Sequence, residues 1–223
     1  MSDGKIDLNV AERVALDFMT HITDMLAWHS VAGSIRRQKP VVGDIELVVM
    51  PRDPHHFLAR LDNLIDQGIA SRKLYSDGRT RWGDRYRGIT YRGCTIELFL
   101  CDHNNRGYIE WLRTGPGMAN TYVMSRMSAC RSHVRFAGGY AWLVSYDAKH
   151  ANYDRNAGYA KLGKLIVPDE SFLFYLLGMS PVPPRLRSEV VYRQHLENWV
   201  HVPSMEALEP LIIPEPTQRR LFD

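Results

Sequence analysis

The stretch from residue 31 to residue 50 reads VAGSIRRQKPVVGDIELVVM, and it joins a turn of small residues to an apolar strand that carries two acids. From residue 41 onward apolar and polar side chains alternate, which predicts a β-strand with Ile45, Leu47 and Val49 on one face. Asp44 and Glu46 then share the opposite face, ~6.6 Å apart along the strand. The sequence therefore predicts a pair of carboxylates that leave one strand on the same side.

The residues before this strand have the composition of an anion-binding turn. Gly33 and Ser34 permit a tight turn whose backbone N–H groups and hydroxyl can face a phosphate, and Arg37 can add a bidentate cation. Gly43 lets the backbone approach a triphosphate closely, because it has no side chain. A phosphate-binding turn that leads into an acidic strand is typical of nucleotidyl transfer.

A third carboxylate lies on a second alternating segment. The run YRGCTIELFL, residues 91–100, predicts a strand with Glu97 facing away from the core. If the two strands are neighbours, the three carboxylates converge, and their repulsion calls for divalent cations such as Mg²⁺ or Mn²⁺. Two such ions ~4 Å apart can clamp the attacking and leaving oxygens of a phosphoryl transfer. The alternative is that these acids form only the solvated face of amphipathic strands.

The composition is that of one ordinary domain or two small ones. The chain has 223 residues and a formal net charge of +3, which permits a nucleic-acid partner without requiring one. Its three cysteines follow no metal-ligand or disulfide spacing, and we find neither a signal sequence nor an apolar run of ~18 residues. We therefore expect a monomeric protein of the cytoplasm without a membrane segment.

Helical and strand periods succeed one another irregularly along the chain, which favours an α+β fold. The predicted helices cover residues 10–28, 57–69, 107–112, 118–127 and 169–177. The predicted strands cover residues 41–50, then 73–100 as consecutive antiparallel strands, and 137–166 as a small sheet.

A basic and aromatic segment, residues 72–92, precedes the third carboxylate. Its arginines are suited to neutralise the phosphates of a nucleic acid, with Trp82 or Tyr86 available for stacking on bases. The alternative is an exposed hairpin whose arginines are only solvated.

Four motifs resemble, in the same order, those of the family X DNA polymerases, the polymerase beta group. The run GSIRRQKPVVGDIE, residues 33–46, is similar to the palm signature of that family, Gly-Ser-x-Arg-Arg followed by Gly-Asp-x-Asp. YRGCTIELFL resembles the strand of the third catalytic acid, and RTGPGMAN, residues 113–120, resembles the turn and helix that hold the incoming nucleotide. DESFLFYLLGMSPVPPRLR, residues 169–187, is similar to the closing segment of the family.

The resemblance implies a nucleotidyltransferase palm at residues 1–107, with a mixed or antiparallel sheet backed by helices. A small α+β thumb-like domain is expected at residues 108–190, and residues 191–223 form a C-terminal extension. Because few residues precede Gly33, the chain resembles the reduced palm-plus-thumb form known from viral members. This economy favours a viral or phage source and, in that case, the host-cell cytoplasm.

The same resemblance assigns roles to individual residues. Asp44, Glu46 and Glu97 are implied to be the catalytic ligands of two Mg²⁺ ions, with Mn²⁺ as a substitute, and Glu97 helps to activate the primer 3′-hydroxyl. The residues assigned to the nucleotide are Gly33, Ser34, Arg37 and Gly43 for its phosphates, and Thr114, Gly115 and Asn120 for its sugar and base.

The chain also departs from the family pattern. Glu46 and Glu97 replace the usual Asp, which moves each carboxylate by more than ~1 Å. Pro116 stands where the motif has Ser, Arg113 where it has an aromatic residue, and Met124 where it often has Arg.

These expectations describe a minimal DNA polymerase that adds nucleotides from a nucleoside triphosphate to a primer 3′-hydroxyl, with primed or gapped DNA as its partner and short-gap repair synthesis as its role. Two alternatives stay open. One is a template-independent nucleotidyltransferase that acts on RNA, a protein or a small molecule. The other is a nucleic-acid-binding protein with an inactive palm.

Overall fold

The computed structural model describes residues 5–197 and 203–213, and these residues form two compact units that divide between Asp102 and His103. The domain boundary predicted from the sequence, between residues 107 and 108, lies within the first helix of the second unit. The palm and thumb assignments of the two units stay predictions. Both units combine helices and sheets, so the fold is of the mixed α+β class.

The first unit contains a mixed five-stranded sheet. In chain order its elements are β1 (Ile6–Asp7), α1 (Leu8–Met19), β2 (Leu26–Val31), α2 (Gly33–Arg36), β3 (Val41–Val42), β4 (Ile45–Pro51), α3 (Pro54–Asp66), β5 (Ser71–Arg72), β6 (Tyr86–Tyr91) and β7 (Cys94–Leu100). The strand order in the sheet is β2-β4-β7-β6-β5, and β1 pairs separately with β3. Strands β4 and β7 run parallel, while the other neighbours are antiparallel.

The core of this unit lies between the sheet and helices α1 and α3. Each helix begins at an aspartate whose carboxylate accepts a backbone N–H, Asp7 in α1 and Asp53 in α3. Phe18 and Phe57, one from each helix, are fully buried in the cluster that the sheet residues also form. The apolar faces of the two helices therefore fix the sheet that carries the acidic residues.

The helix predicted over residues 10–28 is shorter than expected. It ends at Met19, where Thr20 donates both its N–H and its hydroxyl to the carbonyl of Asp17, and residues 26–31 form β2 instead. Ile22 and Leu26 are buried as the helical spacing required, but they reach the core from a 3-10 turn and a strand. The pairing of β2 with β4 decides the outcome, since tertiary contacts override a local period.

The segment predicted as consecutive strands from residue 73 is also irregular at first. Strands β6 and β7 form a hairpin whose turn is Arg92-Gly93, with both residues at positive φ. Residues 73–85 form a loop with only single bridges, at Leu74–Thr80 and Trp82–Arg87. We attribute this to the composition of the segment, in which most residues are polar and exposed.

The second unit contains an antiparallel four-stranded sheet and most of the remaining helices. Its elements are α4 (Arg106–Thr114), α5 (Gly117–Ala129), β8 (Val134–Ala137), β9 (Tyr140–Ser145), β10 (Tyr153–Asp154), β11 (Tyr159–Leu165), α6 (Glu170–Leu176), α7 (Glu189–Glu197) and α8 (Met205–Leu208). The strand order is β10-β11-β9-β8. The predicted small sheet and the helices near residues 107, 118 and 169 are therefore confirmed.

A buried ion pair joins the closing segment of this unit to α6. The Arg187 guanidinium donates to both carboxylate oxygens of Glu170, at 2.8 and 2.9 Å, and its Nε donates to the carbonyl of Val182 at 3.0 Å. The two side chains are 1% and 12% exposed. Because a carboxylate at this depth depends on its partner, the Pro-Pro-x-x-Arg segment stabilises the unit.

We predict that Arg187→Ala lowers the free energy of unfolding by about 3–5 kcal/mol, because it leaves the Glu170 carboxylate without its guanidinium. Guanidinium chloride unfolding followed by circular dichroism measures the change. The control is Arg185→Ala, since Arg185 is exposed and lies in the same segment; we expect it to stay within about 0.5 kcal/mol of the parent. Equal losses in both variants would contradict a specific role for the ion pair.

Candidate active site

The parallel pairing of β4 with β7 places two acidic residues side by side. In this register Glu46 lies opposite Glu97, and Asp44 comes directly before β4. The two acidic strands are therefore neighbours, which is the condition that the sequence left open. Within residues 5–197 and 203–213, however, no three His, Cys, Asp or Glu side chains are gathered as a ready-made metal site. The three-carboxylate cluster expected from the sequence is thus not assembled in this structure.

The Glu46 carboxylate packs against the turn that precedes the strand. A Cβ atom on Gly33 would lie 1.9 Å from Glu46 Oε2, and Gly33 has a φ of +64°. The backbone N–H of Ala32 also donates to the carbonyl of Glu46 at 2.8 Å. Glycine is therefore required at position 33 for two reasons, the left-handed backbone and the space that the carboxylate occupies.

The charge of Asp44 interacts with three other groups of the first unit. Burial raises the pKa of Asp44, and the nearby Glu97 carboxylate raises it further, whereas Lys73 and Arg37 lower it. Two acids and two bases thus lie within electrostatic reach of one another. This group of charged side chains joins the end of the GSIRR turn to the strand of the third acid, although the two segments are far apart in the sequence.

The residues expected to bind phosphate lie around the short helix α2. Gly33 and Ser34 are in its first turn, and Arg37 follows its last residue. Gly43 is exposed, and a Cβ atom added to it would meet no atom within 4 Å. No contact among the described residues explains glycine at this position, and the space beside it is open.

The partner of Glu97 was not anticipated from the sequence. Lys73 Nζ lies 3.1 Å from Glu97 Oε1, and the Tyr75 hydroxyl donates to the same oxygen at 3.5 Å. The hydroxyls of Tyr75 and Tyr86 are in direct contact, and the pKa of Tyr86 is raised by burial, by this hydrogen bond and by the Glu97 charge. The only sequence signal was the alternation of basic and aromatic residues after position 72, which does not identify a partner.

The arginine-rich segment divides into structural and exposed members. Arg87 is buried, and it donates to the carbonyl of Leu58 and to the carboxylate of Asp62. The guanidiniums of Arg72 and Arg87 lie 4.8 and 4.4 Å from the centroid of the Trp82 ring, whose Nε1 also donates to Asp62. Trp82 is thus engaged by the protein itself. The arginines that stay on the surface of this loop are Arg79, Arg81 and Arg85.

The nucleotide-binding residues expected from RTGPGMAN lie in the second unit. Thr114 is buried at the end of α4, and Gly115 is joined to Pro116 by a cis peptide bond. Asn120 is only 2% exposed, and its Nδ2 donates to the carbonyl of Leu112 at 2.9 Å. Asn120 therefore holds the C-terminal turn of α4 through its Nδ2, whereas its Oδ1 is buried without a hydrogen-bond partner among the described residues, and its role toward a base stays a prediction.

The donor set beside Asp44 fits a hard divalent cation in its chemistry. Asp44 and Glu97 offer carboxylate oxygens, the ligands that Mg²⁺ prefers, and burial first and the Glu97 charge second raise the pKa of Asp44. The positive groups near them are Lys73 and Arg37.

In the part of the chain that the structure describes, no helix is long and apolar enough to cross a membrane.

Comparison with known proteins adds evidence on the fold. No family model matches the chain, and no curated protein matches it. Among solved structures, the chain is similar to Leishmania infantum polymerase beta in its ternary P/T complex, with a TM-score of 0.59 and 15% sequence identity. The match covers 83% of this chain and 77% of that chain. The protein therefore has a polymerase beta-like fold, and identity this low shows the fold alone.

We predict that Asp44→Asn raises the melting temperature of the metal-free protein at neutral pH by about 1–3 °C, because it removes a charge that burial and the Glu97 carboxylate disfavour and that solvent partly screens. A raised native pKa means that ionised Asp44 destabilises the fold above that pKa, so the gain should shrink as the pH falls through it. The gain should vanish below the ordinary pKa of 3.8, where both states are protonated. Scanning calorimetry across pH measures this.

The matched control is Asp77→Asn, in an exposed turn where either side chain can accept the N–H of Arg79. We expect no change in its melting temperature. A loss of stability in Asp44→Asn would show that the carboxylate makes net favourable contacts in the metal-free protein.

Proposed function

We propose that this protein is a nucleotidyltransferase of the family X DNA polymerase type, which adds nucleotides from a dNTP or NTP to a primer 3′-hydroxyl. One observation carries the proposal: within a polymerase beta-like fold, β4 and β7 are paired so that the acids after the GSIRR turn lie beside Glu97. DNA with a primed end or a short gap is the proposed acceptor, and short-gap repair synthesis is the proposed role.

The carboxylates Asp44, Glu46 and Glu97 are the proposed catalytic residues. The Asp44 carboxylate lies within electrostatic reach of Glu97, and Glu46 lies opposite Glu97 in the sheet. They would hold Mg²⁺, proposed as two ions, with Mn²⁺ as a substitute. When bound, Mg²⁺ supplies Lewis-acid stabilisation of the charge on the reacting phosphate oxygens.

The residues of this chain have three tasks in the reaction. Ser34, Arg37 and the open backbone at Gly43 bind the β- and γ-phosphates of the triphosphate. Glu97 accepts the proton of the primer 3′-hydroxyl at a carboxylate oxygen. A bond forms between the 3′-oxygen and the α-phosphorus, the bond from the α-phosphorus to the bridging oxygen breaks, and pyrophosphate leaves with that oxygen.

The second unit is proposed to be the thumb-like domain, with Thr114 and Gly115 near the sugar and base of the nucleotide. Asn120 was expected to share this role, but its amide is already bonded to Leu112. Checking of the base by this side chain would require its release from α4.

A second candidate function follows from the placement of Asn120. If Asn120 stays buried, the protein lacks one means of testing the base pair, which favours a nucleotidyltransferase that does not read a template. RNA, a protein side chain or a small molecule is then the acceptor. The palm alone does not choose among acceptors.

The decisive experiment is primer extension on a one-nucleotide gap, with Mg²⁺ and each dNTP or NTP in turn. We expect addition that follows the templating base, and we expect Asp44→Asn and Glu97→Gln each to lower the rate by about 10²–10⁴-fold. Asp77→Asn should match the parent. Addition that ignores the templating base would favour the second candidate, and full activity in Asp44→Asn would contradict the proposed site.

A separate prediction tests the phosphate-binding turn. Arg37→Ala should weaken triphosphate binding by about 1.5–3 kcal/mol, the scale of hydrogen bonds to a charged group, and leave DNA affinity nearly unchanged. Lys39→Ala is the control, because Lys39 is exposed and its replacement removes the same charge two residues further along the chain. Calorimetric titration with a non-hydrolysable triphosphate measures the effect. A loss of DNA binding alone would assign Arg37 to the acceptor instead.

A further inference from the structure

The Lys73 ammonium is paired with a carboxylate, that of Glu97, which the proposed reaction needs as a ligand of a divalent ion. Lys73 Nζ and Glu97 Oε1 are 3.1 Å apart, and their side chains are 22% and 19% exposed. The same ammonium lowers the pKa of Asp44. The ammonium is therefore paired with Glu97 and acts on the charge of Asp44, the two acids that are proposed to hold the metal.

The backbone of Lys73 is fixed close to Glu97 by the sheet. The N–H of Lys73 donates to the carbonyl of Gly88 at 2.8 Å, and Gly88 lies directly opposite Glu97 in the antiparallel register of β6 and β7. A main-chain hydrogen bond thus holds the attachment point of the side chain next to the strand pair. Any separation of the ammonium from the carboxylate requires rotation of the side chain and no opening of the loop.

The Tyr75 ring packs beside the Lys73 ammonium. A Cβ atom on Gly88 would lie 2.5 Å from the Tyr75 hydroxyl, so the absence of a side chain at Gly88 admits the Tyr75 ring. Lys73 Nζ lies 4.5 Å from the centroid of that ring, a cation–π distance. The ammonium is therefore held between an aromatic ring and a carboxylate.

We propose that Lys73 is an internal cation, which partly compensates the charges of Glu97 and Asp44 in the metal-free protein and which a divalent ion must displace from Glu97. Lys73 thereby sets the affinity of the protein for Mg²⁺. The inference rests on the proposed function in one respect, the assignment of these two acids to the metal. It identifies a positioning and competing residue that the acidic motif does not contain.

The first test measures Mn²⁺ binding from the electron paramagnetic resonance signal of the free ion. Lys73→Met removes the charge and keeps an unbranched chain over Tyr75, and we expect it to bind Mn²⁺ about tenfold more tightly than the parent. Lys73→Gln repeats the test with a side chain that can still bond Glu97, in case the methionine variant folds poorly. Equal or weaker binding in the folded neutral variants would overturn the proposal.

Two controls separate competition at Glu97 from the general effect of charge. Lys149→Met removes one positive charge from an exposed position of the other unit and should leave Mn²⁺ affinity unchanged. Lys73→Arg keeps the charge and should stay within about twofold of the parent. A tenfold gain in either control would show that competition by the Lys73 ammonium is not the cause.

The second test follows Lys73 in the unaltered protein. A partly buried, ion-paired ammonium should react slowly with acetic anhydride, and Mg²⁺ should increase its acetylation several-fold while Lys149 serves as the internal reference. Mass spectrometry of peptides measures both sites. Unchanged acetylation of Lys73 at saturating Mg²⁺ would overturn the displacement.

The outcomes also distinguish this inference from the proposed function. If Asp44→Asn in the Lys73→Met background keeps the tenfold gain, the ion binds elsewhere and the inference fails. If the gain depends on Asp44 but no acceptor is ever extended, the inference stands and the proposed nucleotidyl transfer is overturned.

Discussion

The parallel pairing of β4 with β7 is the constraint on which the rest of the first unit depends. It sets Glu46 opposite Glu97 on adjacent strands, next to Asp44, and like charges at such spacing repel. Positive charge has to be supplied from elsewhere in the fold. Arg37 supplies it from the end of the GSIRR turn, and Lys73 supplies it from the loop that returns over β6.

Two glycines make this charge arrangement sterically possible. Gly33 leaves room for the Glu46 carboxylate, and Gly88 leaves room for the Tyr75 ring beside Lys73. The Glu46 carboxylate and the Tyr75 ring thus each pack at a position where a Cβ atom would clash. Gly33 and Gly88 are therefore more specific markers of the site than the acids are. An acid on a strand is common, whereas a glycine that leaves room for a neighbouring side chain is rarer.

The sequence predicted those features that depend on local pattern. Alternation located β4 and β7, and the stretch around Gly33 located the turn before the acids. It did not predict β2, since the apolar spacing of residues 22–26 fits a helix equally well until β4 offers a partner for pairing. The length of α1 was therefore overestimated.

The site was less predictable than the strands for a related reason. Whether an ammonium lies beside Glu97 depends on how residues 73–85 fold against the sheet. No periodic pattern in the sequence encodes the path of this loop. The burial of Asn120 depends likewise on the carbonyl of Leu112, which only the packed helices bring near it. Motif spacing thus identified the acids but not their neighbours.

An internal cation resolves a conflict that an acidic site creates for folding. Without a counter-charge, the acids would repel in every molecule that folds before it meets a metal, and stability would be lost at the site. A single ammonium on a rotatable side chain relieves this repulsion at only one unit of charge. A divalent ion carries two charges and binds oxygen ligands directly, so it can replace the ammonium without any change in the backbone. On the proposed metal assignment, the fold would be stable before an ion binds, and the strength of the Lys73–Glu97 pair would determine how much metal is needed to displace the ammonium.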